Sequence, residues 1–107
     1  MLSVIVPSIR PDNLQRLYES VQSAYTGKFE FIVISPYRRP IFFDRMWNVI
    51  FIEDFGSPVR AQQIGITRAT GDYVLWGAAD DGCFLPNMVD IAVQRAGPRT
   101  VIAGRYY

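Results

Sequence analysis

The feature that most constrains the fold is an alternation of short apolar runs with segments that repeat apolar residues at helical spacing. The apolar runs are rich in β-branched and aromatic residues, which is typical of strands buried on both faces. Strands that alternate with helices form a mostly parallel sheet covered by helices on both faces. The sequence therefore predicts an α/β fold with strands at 2–6, 29–34, 48–52, 72–76 and 100–103, and helices at 12–25, 57–69 and 86–93.

Serine, proline and glycine residues predict where several of these elements begin and end. Ser57 followed by Pro58 is typical of a helix start, with serine as the N-cap and proline at the first helical position. Gly71 is predicted to be the C-terminal glycine of the same helix. Residues 37–47, which carry prolines and arginines without periodicity, are predicted to form a loop.

Length and charge limit the class of protein. A chain of 107 residues can bury one core, so residues 1–107 are predicted to form a single domain. The net charge is +1 and no basic block occurs, which argues against a nucleic-acid partner. No apolar run reaches the ~18 residues of a membrane span, and the start lacks a signal-peptide pattern. We therefore expect a cytoplasmic location.

The titratable residues restrict the chemistry further. The chain has no histidine and a single cysteine, Cys83, so nucleophile–histidine pairs and an internal disulfide are excluded. Neither a G-x-x-x-x-G-K-[ST] phosphate loop nor a G-x-G-x-x-G fingerprint occurs. Acid–base or metal chemistry in this chain must therefore come from carboxylates.

Ligands of open α/β sheets bind beyond the carboxyl ends of the strands, and the loop with the strongest signal there contains Asp80 and Asp81. Two adjacent carboxylates repel each other unless water or a cation separates them. Mg²⁺ and Mn²⁺ prefer such oxygen ligands and often take one or two carboxylates beside phosphate and water. The alternative is that Asp80, Asp81 and Gly82 form an ordinary polar turn.

Two arginines lie near the predicted carboxyl end of the sheet. Arg10 follows Pro7 and Ser8 after the first strand, where hydroxyl, backbone and guanidinium could meet a nucleotide. Arg60 falls in the first turn of a helix, where an arginine is unfavourable unless it has an acidic or phosphate partner. For each arginine the alternative is a solvated side chain.

Four segments together resemble the nucleotide-binding half of a family 2, GT-A type glycosyltransferase. They are SVIVPS at 3–8, FEFIVI at 29–34, GITRATGDYV at 65–74 and ADDGCFLP at 79–86. Their order and spacing over nearly the whole chain make the resemblance more specific than any single segment. It implies a Rossmann-like half-domain that binds a nucleoside-diphosphate sugar.

The resemblance also implies roles for individual residues. Pro7, Ser8 and Arg10 would line the base and ribose pocket. Asp80 would lie near the ribose or the metal, and Asp81 would be the principal ligand of Mn²⁺ or Mg²⁺. The donor would be a UDP-, GDP- or dTDP-linked sugar, and the nucleotide-sugar site is expected to comprise Pro7, Ser8, Arg10, Ser35, Arg60 and Asp80.

The sequence departs from the family pattern at three places. Ser35 and Pro36 stand where an aspartate is usual, Ala79 stands where a first acidic residue often occurs, and the residues at 62–63 are glutamines where Arg-Asn is common. These departures fall on the positions that the resemblance assigns to base recognition, to the acidic motif and to the contacts of the second helix.

The resemblance covers a donor half only, so we expect a domain truncated at its C-terminus. No general base is identified in the chain, and we expect little sugar transfer from it alone, to an acceptor that the sequence does not specify. The alternatives are a non-catalytic nucleotide-sugar binding module and an assembly domain without ligand. A partner domain, a homo-oligomer and peripheral attachment to a membrane remain compatible with the sequence.

Overall fold

The computed structural model of the protein describes residues 1–76, 82–98 and 101–102. Within these residues the elements are β1 (Leu2–Pro7), α1 (Leu14–Ala24), β2 (Phe29–Ser35), β3 (Val49–Glu53), α2 (Pro58–Arg68), β4 (Tyr73–Leu75) and α3 (Met88–Arg95). The sheet has the strand order β3-β2-β1-β4, and every pair of neighbours is parallel. Helices flank the sheet on both faces, so the predicted fold class is confirmed.

The larger layer of the core lies between the sheet and α1. Alternate strand residues such as Val4, Phe31 and Val33 point to this face and are fully buried. The ring of Tyr18 on α1 packs edge-on against Phe31, with ring centroids 5.3 Å apart. Packing of this kind adds to the burial of apolar area, so this face holds α1 firmly on the sheet.

The smaller layer lies between the sheet and α2. It contains Ile5, Ile32, Ile34 and Ala61 as its buried residues. α2 approaches the strands closely at Gly65, where an added Cβ atom would lie 2.3 Å from Cγ2 of Ile5. A residue without a side chain is therefore required at this crossing, and it fixes the height of α2 above the sheet.

Four of the predicted strands are confirmed to within one residue at each end. The fifth is not: residues 101 and 102 are not in a strand, and the rest of the predicted range lies outside the described residues. The predicted start of the last helix at 86 is two residues early. The chain first passes through a left-handed conformation at Asn87, with φ of 63°, and α3 begins at Met88.

Ser57 caps α2 as predicted, because its hydroxyl accepts a hydrogen bond from the backbone N–H of Arg60 at 3.2 Å. The role predicted for Gly71 is wrong, since α2 already ends at Arg68. An added Cβ at Gly71 would lie 2.7 Å from Oγ of Ser3. Close approach to β1, rather than the end of the helix, therefore requires this glycine.

The predicted loop at 37–47 contains one short regular element. A 3-10 turn, Ile41–Phe43, interrupts it, and Phe43 is fully buried. The rings of Phe43 and Phe31 stack with centroids 6.0 Å apart. This contact, rather than local periodicity, orders the centre of the loop.

Candidate functional site at the carboxyl end of the sheet

The loops after β1, β2 and β3 meet at the carboxyl end of the sheet. The backbone N–H of Ser8 donates to the carbonyl of Ile34 at 2.9 Å, and that of Asp54 donates to the carbonyl of Ser35 at 3.1 Å. These bonds extend the strand pairing by one residue on each side of β2. Ser8, Ser35 and Asp54 consequently lie next to one another, as expected for a ligand site of a parallel sheet.

The hydroxyls of Ser8 and Ser35 shape the first two loops. Ser8 is buried, and its Oγ accepts from the backbone N–H of Arg10 at 3.3 Å. Ser35 is fully buried, and its Oγ accepts from the backbone N–H of Tyr37 at 3.2 Å. Each serine therefore turns its loop outward, and the structure brings the predicted residues Pro7, Ser8, Arg10 and Ser35 to one end of the sheet.

Arg60 has the acidic partner that its position in the first turn of α2 requires. Its Nε atom lies 3.1 Å from Oδ1 and 3.3 Å from Oδ2 of Asp54. The backbone N–H of Gly56 also donates to Oδ2 of Asp54 at 2.9 Å. These donors, foremost the Gly56 amide and then Arg60, lower the pKa of Asp54. Asp54 thus keeps its charge and orients the guanidinium at the carboxyl end of the sheet.

Asp54 is a candidate site residue that the sequence interpretation missed. The signal was present in the run Asp54, Phe55, Gly56, Ser57, because aspartate two residues before glycine is typical of a turn closed by the side chain. That Asp54 lies near Ser35 could be learned only from the pairing of β2 with β3, since the two residues follow different strands.

A shallow open depression adjoins this site on the β2–β3 side. It is lined by Tyr37, Arg38, Arg39, Phe51 and Glu53. Arg39 also forms an ion pair with Asp44 on the loop, with a nitrogen–oxygen distance of 3.4 Å. The depression combines aromatic surface with both signs of charge beside Ser35.

The predicted metal ligands Asp80 and Asp81 lie outside the described residues. The chain that follows them returns along α1: the backbone N–H of Phe84 donates to Oγ of Ser20 at 3.0 Å. Nη2 of Arg16 lies 3.6 Å from Sγ of Cys83. Among the residues that the structure describes, no group of three or more His, Cys, Asp or Glu residues could hold a metal ion.

Another carboxylate, that of Asp90 on α3, is at the opposite end of the sheet. Its Oδ1 accepts from the backbone N–H of Thr26 at 3.0 Å and from the hydroxyl of Thr26 at 3.2 Å. Thr26 precedes the first residue of β2, so Asp90 is far from the candidate site along the strand direction. It is not a candidate base for chemistry at the carboxyl end.

The described helices were compared with what a membrane span requires. None of the helices within 1–76, 82–98 and 101–102 has the length and apolar character that a bilayer span requires.

The fold is similar to that of the N-terminal part of a solved glycosyltransferase. The structure of S. aureus TarS 1–349, a family 2 glycosyltransferase, matches 87% of this chain with a TM-score of 0.71 and 18% sequence identity. The same protein in complex with UDP matches with a TM-score of 0.69 and 17% identity over 87% of the chain. At identities this low, the structural similarity establishes a shared fold and nothing further.

The chain spans 31% of the TarS 1–349 chain and 19% of the longer TarS chain, which it matches with a TM-score of 0.69 and 17% identity. No family model and no curated protein sequence matches it.

Proposed function

We propose that this chain binds a nucleoside-diphosphate sugar at the carboxyl end of its sheet and serves as the donor-binding part of a glycosyltransferase. The observation that carries the proposal is the fold shared with S. aureus TarS over 87% of the chain, including TarS in complex with UDP. The candidate site supports it independently, because the loops that bind ligands in parallel sheets converge there.

The described residues supply groups suited to such a ligand. The loop of Pro7, Ser8 and Arg10 and the loop that begins at Ser35 would contact the nucleoside. The Arg60 guanidinium, held by Asp54 at 3.1 Å, would contact the diphosphate. The side chain of Arg60 is 65% exposed, so its outer N–H groups can reach an anion while Nε stays on Asp54.

A divalent cation, Mn²⁺ or Mg²⁺, would be held by Asp81 and Asp80 in this proposal. Asp54, an acidic group in the described part of the site, already accepts hydrogen bonds from Gly56 and Arg60. A bound cation would neutralise charge that develops on a leaving diphosphate. Support for this cofactor comes from the paired carboxylates and the sequence resemblance.

The test is isothermal titration calorimetry of the chain with UDP, GDP and dTDP, each with Mn²⁺ and with a chelator. We expect one nucleotide to bind at least tenfold more tightly with Mn²⁺. Asp81→Asn should remove that difference, whereas the matched control Asp90→Asn, at the other end of the sheet, should keep it.

Three results separate the claims. No binding of any of these nucleotides would contradict the donor-binding function and favour an assembly domain. Binding that is equal with and without metal would contradict the cation alone. An unchanged metal dependence in Asp81→Asn would contradict the assignment of the ligands.

A non-catalytic nucleotide-sugar binding module is the second candidate. The position of Asp90 at the amino end of the sheet favours it, because this carboxylate is then unable to activate an acceptor at the donor site. A positioned general base contributes about 10²–10⁴-fold to rate. We therefore expect slow donor hydrolysis at most from this chain, and efficient transfer in a radiolabelled-sugar assay would exclude the module.

A further inference from the structure

The two most exposed large apolar side chains among the described residues lie in the loop between β2 and β3, residues 36–48 (the β2–β3 loop). Ile41 is 86% exposed and Trp47 is 83% exposed. A single exposed apolar side chain is common on a protein surface and requires no explanation. Two of this size in one short loop form a candidate binding surface.

The β2–β3 loop is anchored to the core from its inner side. Phe43 is fully buried, and Phe42 and Met46 pack against the same core. The backbone N–H of Asp44 donates to the carbonyl of Ile41 at 3.0 Å, and that of Met46 donates to the carbonyl of Phe43 at 3.2 Å. Consecutive turns therefore hold the loop in shape, and Ile41 is exposed although its neighbours in sequence are packed.

The position of Trp47 is fixed in the same way. Oδ1 of Asn48 accepts from the Tyr18 hydroxyl at 3.1 Å, and Nδ2 of Asn48 donates to the carbonyl of Phe29 at 3.2 Å. Trp47 thus lies between Met46, which packs against the core, and Asn48, which is tied to α1 and the sheet. Its ring is nevertheless exposed, so an ordered part of the loop presents it to solvent.

The β2–β3 loop also carries the positive charge of the chain. Arg38, Arg39 and Arg45 are exposed, and Asp44, which pairs with Arg39 at 3.4 Å, is the one acidic residue of the loop. The loop therefore has a formal charge of +2, whereas the whole chain has +1, so the remainder has −1. A surface of this kind attracts an anionic partner.

We propose that the β2–β3 loop binds the surface of an anionic lipid membrane. Arginine side chains near such a surface are attracted by the phosphates of the headgroups. The amphipathic ring of a tryptophan suits the level of the headgroups, and an aliphatic side chain such as Ile41 suits the acyl chains below them. Ile41 has no ring to stack on a base, so the same surface fits nucleic acid poorly.

This interaction is separate from nucleotide binding. Ile41, Arg45 and Trp47 do not belong to the candidate site at the carboxyl end of the sheet. The loop leaves that end after Ser35 and returns to the amino end at Val49, so it runs along the sheet beside β3. Binding of vesicles and binding of UDP can therefore be measured independently.

The first experiment is co-sedimentation of the chain with vesicles of phosphatidylglycerol and with vesicles of phosphatidylcholine. We expect binding to the anionic vesicles to be about tenfold tighter, and to weaken as salt is raised from about 0.1 M to about 0.5 M. Arg45→Gln should weaken binding to phosphatidylglycerol by about fivefold, as expected for one arginine near an anionic surface.

The apolar contribution is tested with a matched pair of double variants. Ile41→Ser with Trp47→Ser should weaken binding to phosphatidylglycerol by about tenfold or more, because it removes the side chains that enter the bilayer. Ile91→Ser with Trp76→Ser changes the same residue types on α3 and after β4, where they are 49% and 55% exposed. This control should bind the vesicles as the wild type does. Circular dichroism checks that both variants are folded.

Tryptophan fluorescence shows which part of the chain enters the membrane. The chain has two tryptophans, so Trp76→Phe leaves Trp47 as the only one. Emission of this variant should shift to shorter wavelength with phosphatidylglycerol vesicles, because the ring moves out of water. Emission of Trp47→Phe, which retains Trp76, should stay unchanged. This readout uses variants that keep the loop aromatic or intact, so it holds even where the serine variants do not fold.

The inference would be overturned if the wild type did not bind phosphatidylglycerol, if the double variant of the loop bound as tightly as its control, or if the emission of Trp47 did not shift. Binding to a short DNA duplex in place of vesicles, lost in the double variant, would identify a nucleic-acid surface instead. A dimer in light scattering that the double variant converts to a monomer, without vesicle binding, would identify contact with a second copy. Either result would also overturn the membrane assignment.

Discussion

The charged groups at the two ends of the sheet differ in their exposure to solvent. At the amino end, the carboxylate of Glu30 is buried, accepts from the backbone N–H of Thr70 at 2.7 Å and also accepts from the Ser3 hydroxyl. At the carboxyl end, the Nε atom of Arg60 lies 3.1 Å from Oδ1 of Asp54, and the Arg60 side chain stays 65% exposed. The amino end is a closed network that holds the fold, whereas the carboxyl end leaves a charged side chain open to solvent.

The network at the amino end joins distant parts of the chain. Ser3 lies opposite Glu30 in the pairing of β1 with β2, and its Oγ accepts from the Gly71 N–H at 2.8 Å. Thr70 and Gly71 connect α2 to β4, so this network fixes where β4 enters the sheet. Hydrogen-bonded buried charges of this kind contribute to stability as a unit.

The comparison predicts that Glu30→Ala has the largest effect on stability. The substitution leaves the Thr70 amide and the Ser3 hydroxyl without their acceptor, at a cost of roughly 1–3 kcal/mol in the free energy of unfolding. Urea unfolding followed by circular dichroism measures this loss. Affinity for UDP should stay within about twofold of wild type in conditions where the variant is folded. A large loss of affinity in Glu30→Ala, without loss of stability, would contradict the division between the two ends.

Arg60→Gln tests the carboxyl end of the sheet. Unlike Glu30→Ala, it should weaken the binding of UDP and leave the stability of the fold nearly unchanged. Without the guanidinium, UDP binding should weaken by about fivefold, because a charged contact to the diphosphate is lost. The midpoint of thermal unfolding should hardly move, since an exposed ion pair contributes little to stability. Arg95→Gln, which removes an exposed arginine from α3, is the matched control for charge. Equal weakening by both substitutions would show that net charge alone is responsible.

The pH dependence of stability sharpens the comparison further. Burial raises the pKa of Glu30, but hydrogen bonds from Ser3 and Thr70 outweigh it, and the pKa lies below its ordinary value. Because the pKa of Glu30 is lowered by folding, its charged form stabilises the fold fully at a pH above the unfolded-state pKa of about 4.3. This stabilisation is lost as the pH falls through the pKa of Glu30 in the folded state.

Glu30→Gln cannot titrate, so its stability deficit relative to wild type should shrink between about pH 6 and about pH 3. Urea unfolding of both proteins across this range measures the deficit. A deficit that stays constant over the range would mean that the Glu30 charge is not linked to folding.

Much of the fold followed from local sequence. β1 and β2 are uninterrupted apolar runs, and their bounds were predicted to within one residue. The start of α2 was predicted from Ser57 and Pro58, because capping depends on residues three positions apart. The candidate site was predicted in outline, since loops after parallel strands share one end of the sheet. Asp80 and Asp81, outside the described residues, stay a prediction.

The tertiary structure decided the features that depend on residues far apart in sequence. Gly71 is required by contact with Ser3, 68 positions away, and not by the end of a helix. Glu30 lies within the second strand, and its carboxylate can be buried there because Ser3 and Thr70 supply its hydrogen bonds.

The sequence by itself determined which segments are strands and helices, because periodicity, capping and β-branched runs act over a few neighbouring residues. It could not determine that Asp54 holds Arg60 beside Ser35, or that Oε1 of Gln62 is shielded from solvent without a hydrogen bond among the described residues. Those properties depend on the register of the strands and on the height of α2 above the sheet. Long-range packing sets both, and so it decides which polar groups form hydrogen bonds within the fold and which do not.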